Sequence, residues 1–392
     1  MADAAFAVSR PPLWRNVRVL RILGQVLFVV AVAVIGREIW LNLGFGVRQQ
    51  GIDLSFEFLR ERAGFGIKEG IEYSSADPVL RAFQVGIMNT IFIAVSGIIL
   101  STILGLLIGV GRLSPNWLVR KVTQVYVEVF RNTPVLIIII FFYVGVVLAL
   151  PLVEAGSIFG VAFVSNRGTA IPWPVFREGA GVWLLLVVVA GVAASAVGRW
   201  RTRVNERTGR PHHRVLWWLA TFVVLAGAAH ILLGAPVTID APERMGRGFE
   251  GGAQLSGEFF GILAGLVIYT SSFIAEIIRG SILAVDRGQK EAAEALGLTP
   301  FEQLRYVVLP QALRIAIPPI NSQYLNLTKN SSLGLAIAFP ELVSVGSTVI
   351  NQKGRFAQVL VIWMLAYLAL SLIISFVMNV FNRIVATRGV RR

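Results

Sequence analysis

Charged and amide side chains stand at helical spacing inside otherwise apolar stretches of this sequence. Glu128 and Arg131 are three residues apart, as are Glu276 and Arg279, so each pair shares one helix face and is placed to form an ion pair. Another helical stripe carries four polar residues: Ser322, Asn326, Lys329 and Asn330. A lysine attracts carboxylates and amides bind polar groups, so this stripe is suited either to lining a path for a polar solute or to hydrogen bonding between helices.

Several classes of chemistry are excluded. The chain has no Cys and three His, so no disulfide or thiolate nucleophile is possible and little remains for a metal site. None of its lysines follows a glycine, which excludes the phosphate-binding loop of P-loop ATPases. The HExxH and GxSxG signatures of hydrolases are absent as well. We therefore expect no catalytic residue, no metal site and no cofactor bound by this chain, which is not expected to be an enzyme.

The composition identifies lipid as the solvent of the chain. Of its 392 residues 55% are hydrophobic and 15% are charged, which is too apolar for a water-soluble protein of this length. Charge-free runs predict eight spanning helices: Ile22–Gly36, Ala82–Gly111, Asn132–Val153, Gly179–Gly198, Val215–Ile239, Phe259–Ala275, Ile315–Thr328 and Phe356–Asn382. The first run has a signal peptide as its alternative, but Arg37-Glu38 and the lack of a clear cleavage site favour an anchor.

The basic residues predict the orientation of these spans. If the N-terminus is cytoplasmic, most of the 36 Lys and Arg residues lie in inner segments, and the acidic residues favour the outer side. Both termini are then expected in the cytoplasm. Because the arginines are spread along every inner segment, the net charge of +14 follows from topology. We expect no nucleic-acid partner, and membrane lipid as the neighbour of these loops.

The two ion pairs then lie towards the cytoplasmic ends of their spans. A charge at mid-bilayer costs at least about 2.5–3.5 kcal/mol, so it is paired or faces water. Cross-linking of helices is the simpler role for the pairs, and direct contact with a solute is the alternative. In the seventh predicted span, Pro318 and Pro319 remove two backbone donors, so we expect the helix to kink or open there.

The inner loop at residues 286–310 predicts two short helices around a break. Residues 287–296 are mostly strong helix formers, and Gly297 suits the left-handed position that ends a helix. Thr299 and Glu302 have the spacing of a capping box for a second helix, which Pro310 is expected to end. Such a rigid shelf is a docking element, and Ala292 with Ala293 is expected to let a partner approach closely.

This loop resembles the EAA loop of ABC importer permeases. The residues that carry the resemblance are Glu291, Ala292, Ala293, Gly297, Leu309 and Pro310, with Val307 where the family usually has Ile. Further stretches are similar to those of polar amino acid permeases of the histidine/glutamine type: 126–136, 269–280, 309–319, 329–333 and 340–342. The long form of the chain is similar to the general L-amino acid permeases and their glutamate/glutamine/aspartate/asparagine relatives.

The resemblance implies an all-α, polytopic protein of the bacterial inner membrane with the type I ABC importer transmembrane-domain fold. Residues 1–82 would form an N-terminal cytoplasmic tail, the first span and a periplasmic segment. Residues 83–392 would form the transmembrane domain, with a two-span insertion at about 151–256. The motifs leave the role of this insertion open.

The resemblance further implies an ATP-driven importer for L-amino acids, of polar or broad specificity. Its expected partners are a second homologous permease, a cytoplasmic ATPase dimer that binds ATP and Mg, and a periplasmic amino-acid-binding protein. The EAA loop would couple the permease to the ATPase. A secondary carrier is the main alternative, but it would use acidic residues at mid-membrane, and none is placed there. A scaffold that binds an ATPase without moving solute is the other alternative.

Overall fold

The computed structural model describes residues 17–49, 55–151, 157–158, 162–208, 213–245 and 248–388. The predicted tail before residue 17, the inner-loop residues 209–212 and the end of the third predicted span at 152–153 lie outside these ranges. The described residues up to Phe58 form one compact unit, and the described residues from Leu59 form another. In the first unit, α1 (Val17–Gln49) contains an apolar stretch, Val19–Ile39, that is long enough to cross a membrane.

The second unit is built around the close pairing of α2 (Val79–Gly111) with α7 (Gly257–Leu283). Glycine makes this approach possible, because a Cβ on Gly105 would lie 2.7 Å from the Cβ of Ile274. Next to this seam lies a buried apolar cluster that includes Ile93, Ile262, Leu327 and Phe339. The two helices therefore form the frame on which the other elements are positioned.

The described chain contains six helices long and apolar enough to span a membrane. They are α1, α2, α5 (Ala180–Thr208), α6 (Arg214–Leu232), α7 and α12 (Phe356–Arg388). Two further helix pairs qualify only together, each bent at a break, and counting each pair as one span gives up to eight. The predicted helical membrane fold with about eight spans is confirmed.

The third predicted span, Asn132–Val153, is not one spanning helix. The helix α3 (Trp117–Arg131) meets α4 (Val135–Ile140) and its π-helical continuation Phe141–Val147 at a bend of 108°. The six residues of α4 and the seven of its π-helical continuation are together too few to cross the roughly 30 Å of a bilayer core. The bend is explained by Pro134, because a proline disfavours the helical conformation of the residue before it.

The seventh span also differs from the prediction. After α8 (Arg287–Ala295), helical structure runs without interruption through α9 (Pro300–Glu302), a π-helical turn (Gln303–Val308) and α10 (Leu309–Asn330). The predicted end at Pro310 is therefore wrong, and of the two predicted outcomes at Pro318-Pro319 the opening is wrong, while a kink there stays a prediction. Pro310 lies in the first turn of α10, and the two inner prolines lie in a helix packed against α7 and α12.

The break in this span comes later than predicted. A 3₁₀-helix (Ser331–Ile337) follows α10, and Ala338 has a left-handed φ of +59°. The chain then enters α11 (Leu342–Lys353), which is bent by 49° from the helix before it. At this bend, the hydroxyl of Thr90 on α2 accepts from the backbone N–H of Leu342 (3.1 Å), so the break is held against the frame.

The inserted residues contain short strands that the sequence did not predict. The strands are β1 (Ser157–Ile158), β2 (Ala162–Ser165), β3 (Gly168–Ile171), β4 (Trp173–Phe176), β5 (Val237–Asp240), β6 (Glu243–Met245), β7 (Gly248–Glu250) and β8 (Ala253–Ser256). They pair antiparallel in the order β1-β2-β3-β8, with β4-β5 and β6-β7 as separate ribbons. Since β8 leads directly into α7, the sheet is joined to the frame.

The helices α5 and α6 of the insertion pack against each other as a hairpin. Trp218 of α6 donates its indole N–H to the hydroxyl of Ser195 on α5 (3.2 Å). Trp183 of α5 donates to the carbonyl oxygen of Ala226 (3.4 Å). The two predicted spans of the insertion are thus present as an antiparallel pair, with α5 extending further than predicted, to Thr208. The predicted end of the other span at Ile239 is wrong, since α6 ends at Leu232 and Ile239 lies in β5.

Candidate functional site

The loop with the EAA resemblance begins and ends with helix caps. Asp286 accepts from the backbone N–H of Gly288 (2.7 Å) and caps α8. At the other end, Gly297 has a φ of +75°. The N–H of Leu298 reaches the carbonyl of Ala293 (3.2 Å), and that of Gly297 reaches Glu294 (2.9 Å). These two bonds form a Schellman motif, so the predicted left-handed end at Gly297 is confirmed.

The predicted capping box at the second helix is also confirmed. The hydroxyl of Thr299 accepts from the N–H of Glu302 (3.4 Å), and the N–H of Thr299 donates to the Glu302 carboxylate (2.9 Å). The Thr299 hydroxyl also donates to this carboxylate (2.7 Å), and this bond together with the one from the Thr299 N–H lowers the pKa of Glu302 from its usual value. We call residues 286–308, which include the π-helical turn that follows, the shelf.

Buried apolar contacts attach the shelf to the helices on both sides of it. Val285, Val308 and Ala312 form a small buried cluster, with Ile282 of α7 packed against it. Gln311 of α10 donates to the side chain of Gln289 on α8 (3.3 Å). The shelf is therefore fixed to the end of α7 and to the start of α10.

The exposed surface of the shelf differs from the prediction. Ala293 is only 3% exposed, because it faces the π-helical turn against which α8 packs. It acts as a spacer within the chain and does not face a partner. Glu291 and Ala292 are exposed, together with two large apolar residues that the sequence reasoning missed, Leu296 (81% exposed) and Phe301 (67%). Their apolar character in a charged loop was the available signal.

One predicted ion pair is present and is joined by a further arginine. Arg279 donates to the carboxylate of Glu276 (2.6 Å). Arg112, which follows the end of α2, binds the same carboxylate. Glu276 thereby links the ends of α2 and α7, the role of helix cross-linking that we considered simpler.

The other predicted pair does not form. Glu128 and Arg131, both in the described part of the chain, make no ion pair with each other. Glu128 accepts from the amide of Gln124 (2.7 Å), and the Arg131 guanidinium lies over the ring of Phe273, 5.2 Å from its centre. Spacing of three residues allowed the pair, but both side chains find other partners.

Replacing Glu276 with Gln is expected to destabilise the protein by about 2 kcal/mol, because two guanidinium groups lose the carboxylate that binds them. The measurement is the thermal unfolding midpoint of the purified protein in detergent. The matched control is Glu128→Gln, which removes an exposed carboxylate bound to an uncharged amide and should change stability by less than about 0.5 kcal/mol. Equal midpoints for the two variants would contradict the role assigned to Glu276.

The polar stripe on α10 lies where the sequence placed it. Ser322, Asn326 and Lys329 are exposed, and Asn330 is half-buried at the end of the helix. The opposite side of α10 is buried, with these residues against the frame: Ala316, Ile320, Tyr324 and Leu327. Among the residues that the structure describes, the side chains of Ser322, Asn326 and Lys329 have no hydrogen-bond partner. Hydrogen bonding between helices of this chain therefore does not account for the stripe.

Comparison with known proteins identifies the family. Residues 97–390 match the model of the family described as "Binding-protein-dependent transport system inner membrane component". The chain belongs to this family. The permease is 45% identical to the general L-amino acid transport system permease protein AapQ of Rhizobium johnstonii, over 91% of this chain and 90% of that one. The predicted resemblance to amino acid ABC transporter permeases is confirmed.

Two further comparisons describe the permease's relatives. It is 39% identical to the glutamate/glutamine/aspartate/asparagine transport system permease protein BztB of Rhodobacter capsulatus, over 91% of each chain. The crystal structure of an amino acid ABC transporter with histidines matches with a TM-score of 0.46 and 19% identity, over 78% of this chain and 94% of that one. The permease is a multi-pass protein of the inner membrane, and its relatives are transport subunits.

Proposed function

We propose that this permease is a subunit of an ATP-driven importer for L-amino acids of polar or broad range. The names of the two relatives above support this solute class. A second homologous permease would complete the path, and a binding protein would deliver the amino acid on the outside. An ATPase dimer in the cytoplasm would hold ATP and Mg, with no cofactor in this chain and both of its termini on the cytoplasmic side.

The observation that carries this proposal is the construction of the shelf. It is capped at Asp286 and Thr299, and buried contacts fix it to α7 and α10. Its exposed residues include the acidic Glu291 and the apolar Leu296 and Phe301. Large apolar side chains exposed together with charge are typical of a docking surface for another protein. We assign the docking of the ATPase to this surface.

The connection between the shelf and α10 supports a mechanical role. Helical structure continues from Pro300 to Asn330, so a displacement of the shelf is passed along one helix. That helix carries Ser322, Asn326 and Lys329 on its uncovered side. Nucleotide binding by the ATPase would move the shelf and shift this stripe between inward-open and outward-open states. Lining of the path by the stripe follows as part of the proposal.

The test is uptake by the complete complex in sealed vesicles, with the second permease, the ATPase and the binding protein present. Labelled glutamine is expected to accumulate when ATP is supplied to the ATPase side, and to continue accumulating after the proton gradient is dissipated. Uptake that stops with the gradient while ATP persists would show a secondary carrier. ATP hydrolysis with no accumulation of any amino acid would show a scaffold.

A further inference from the structure

A cavity of about 1020 Å³ lies at the end of the frame away from the shelf. It is open on one side and is lined by residues 66–69 before α2, the π-helical segment after α4, the start of α7, the bend at 338–340 and the sheet of the insertion. Its volume is at the upper end of the range usual for small-molecule sites. In the proposed orientation it opens to the outer side of the membrane. Its lining carries both signs of charge.

One wall of the cavity is acidic. The carboxylate of Glu69 accepts from the backbone N–H of Ser256 (3.3 Å) and from its hydroxyl, at the N-terminus of α7. Glu258, which lies two residues after Ser256, accepts a hydrogen bond from the hydroxyl of Tyr143 (3.0 Å). Burial raises the pKa of Glu69. The hydrogen bonds from Ser256 lower this pKa, and the neighbouring charge of Glu258 raises it. A cation placed between the two carboxylates would relieve this repulsion.

The insertion supplies another wall. Asn166 and Arg167 form the tight turn between β2 and β3, and both line the cavity. The turn is held in place, since the N–H of Asn166 donates to the carbonyl of Pro151 (3.1 Å) and Gly168 pairs with Ser256. A Cβ on Gly257 would lie only 3.3 Å from the Asn166 carbonyl oxygen, so the turn packs directly on the start of α7.

One polar atom in this wall is unsatisfied. The side-chain oxygen of Asn166 is buried and has no hydrogen-bond partner among the described residues. A buried acceptor without a donor costs free energy, so the turn carries this polar atom at some cost to stability. Lys68, in the segment before α2, adds a second basic side chain to the lining.

The cavity is tied to the bend in the broken span. The amide of Asn89 donates both to the carbonyl of Glu69 (3.1 Å) and to that of Pro340 (2.9 Å). Ala338 and Pro340 also line the cavity. Asn89 thus connects the acidic wall to the bend at 338–340. This bend comes after α10, the helix that carries the polar stripe.

We propose that this cavity receives the zwitterionic α-amino acid before it enters the path, with the inserted residues as part of the site. Glu69 and Glu258 bind the α-ammonium group. Arg167 and Lys68 bind the α-carboxylate. This site rests on the proposed function. It adds the place where the permease first holds the solute after the binding protein has delivered it. It also gives the insertion a role, which is to complete a reception site from the outer side.

The experiment uses the complete complex in vesicles and compares Arg167→Gln and Glu258→Gln with the unsubstituted permease. Each variant is expected to lower glutamine accumulated per ATP hydrolysed by roughly tenfold or more, the loss expected from one charge-assisted hydrogen bond. The binding-protein concentration that half-saturates ATP hydrolysis should stay the same. Arg167→Lys retains the charge and is expected to recover part of the uptake, which a merely structural role would not require.

The matched controls are Arg177→Gln and Glu243→Gln, which remove exposed charges of the same insertion outside the cavity lining. Both are expected to transport within about twofold of the unsubstituted complex. Uptake at the level of these controls for both cavity variants would overturn the site. A shifted half-saturating concentration with unchanged uptake per ATP would also overturn it, in favour of a docking surface for the binding protein. If the unsubstituted complex accumulates no amino acid, the proposed function itself fails.

Discussion

Replacing Gly297 with Asp is expected to lower uptake at least roughly 100-fold while leaving membrane insertion intact. The space beside Gly297 is open, and Asp tolerates a left-handed backbone better than most residues, so the shelf should still form. The new carboxylate would stand near Glu294 on the surface assigned to the ATPase. Repulsion or an unpaired charge in such an interface costs several kcal/mol. The measurements are uptake in vesicles and co-purification of the ATPase.

The chain offers a matched control in Gly354→Asp. Gly354 ends α11 with a φ of +67°, and nothing lies within 4 Å of the position that an added Cβ would take, as at Gly297. It lies away from the shelf, so its variant should bind the ATPase and transport within about twofold of the parent. Normal uptake by Gly297→Asp would refute the coupling role of the shelf. An equal loss of uptake in both variants would show that the effect comes from placing Asp at any such helix end.

Replacing Gly265 with Ala is expected to destabilise the fold by about 3 kcal/mol. A Cβ there would lie 2.6 Å from the side chain of Ile139 and 2.8 Å from its Cα, so α4 and α7 would have to separate. The backbone of Ile139 cannot rotate away from the added Cβ as a flexible side chain could. The yield of monodisperse protein and its thermal unfolding midpoint in detergent should both fall.

The control for this substitution lies in the same helix. Gly280 has nothing within 4 Å of an added Cβ, so Gly280→Ala should be neutral or should stabilise α7 by about 0.5–1 kcal/mol. A lower midpoint for Gly265→Ala together with an unchanged or higher midpoint for Gly280→Ala would identify the contact between helices as the cause. An unchanged midpoint for Gly265→Ala would show that α4 does not pack as closely as described.

Local signals in the sequence were sufficient for the ends of the shelf helices. Gly297, Thr299 and Glu302 act within a few residues of chain, so their types and spacing predicted the Schellman motif and the capping box. The stripe at Ser322 and Asn326 was predicted for the same reason, because helical periodicity fixes which residues share a face. These features depend on neighbours in sequence and not on tertiary contacts.

Features that depend on tertiary contacts were predicted less well. Ala293 has the size that suits a partner's approach, but its burial depends on the π-helical turn that packs over it. Glu276 binds Arg112, which lies 164 positions away in the sequence, and spacing along one helix cannot indicate such a partner. Pro134 interrupts a charge-free run, and the count of apolar residues alone did not register the resulting bend. The strands of the insertion are two to four residues long, too short for a clear alternating pattern.

The π-helical turn at Gln303–Val308 sets the direction in which the exposed residues before it point relative to α10. Such a turn accommodates one residue more than the α-helix around it, and each residue rotates an α-helix by about 100°. Gain or loss of one residue there would swing Leu296 and Phe301 by more than a quarter of a circle about the axis of α10. The packing of α10 against α7 and α12 would not change. A change of one residue at this turn would therefore redirect the exposed residues of the shelf without repacking the spans.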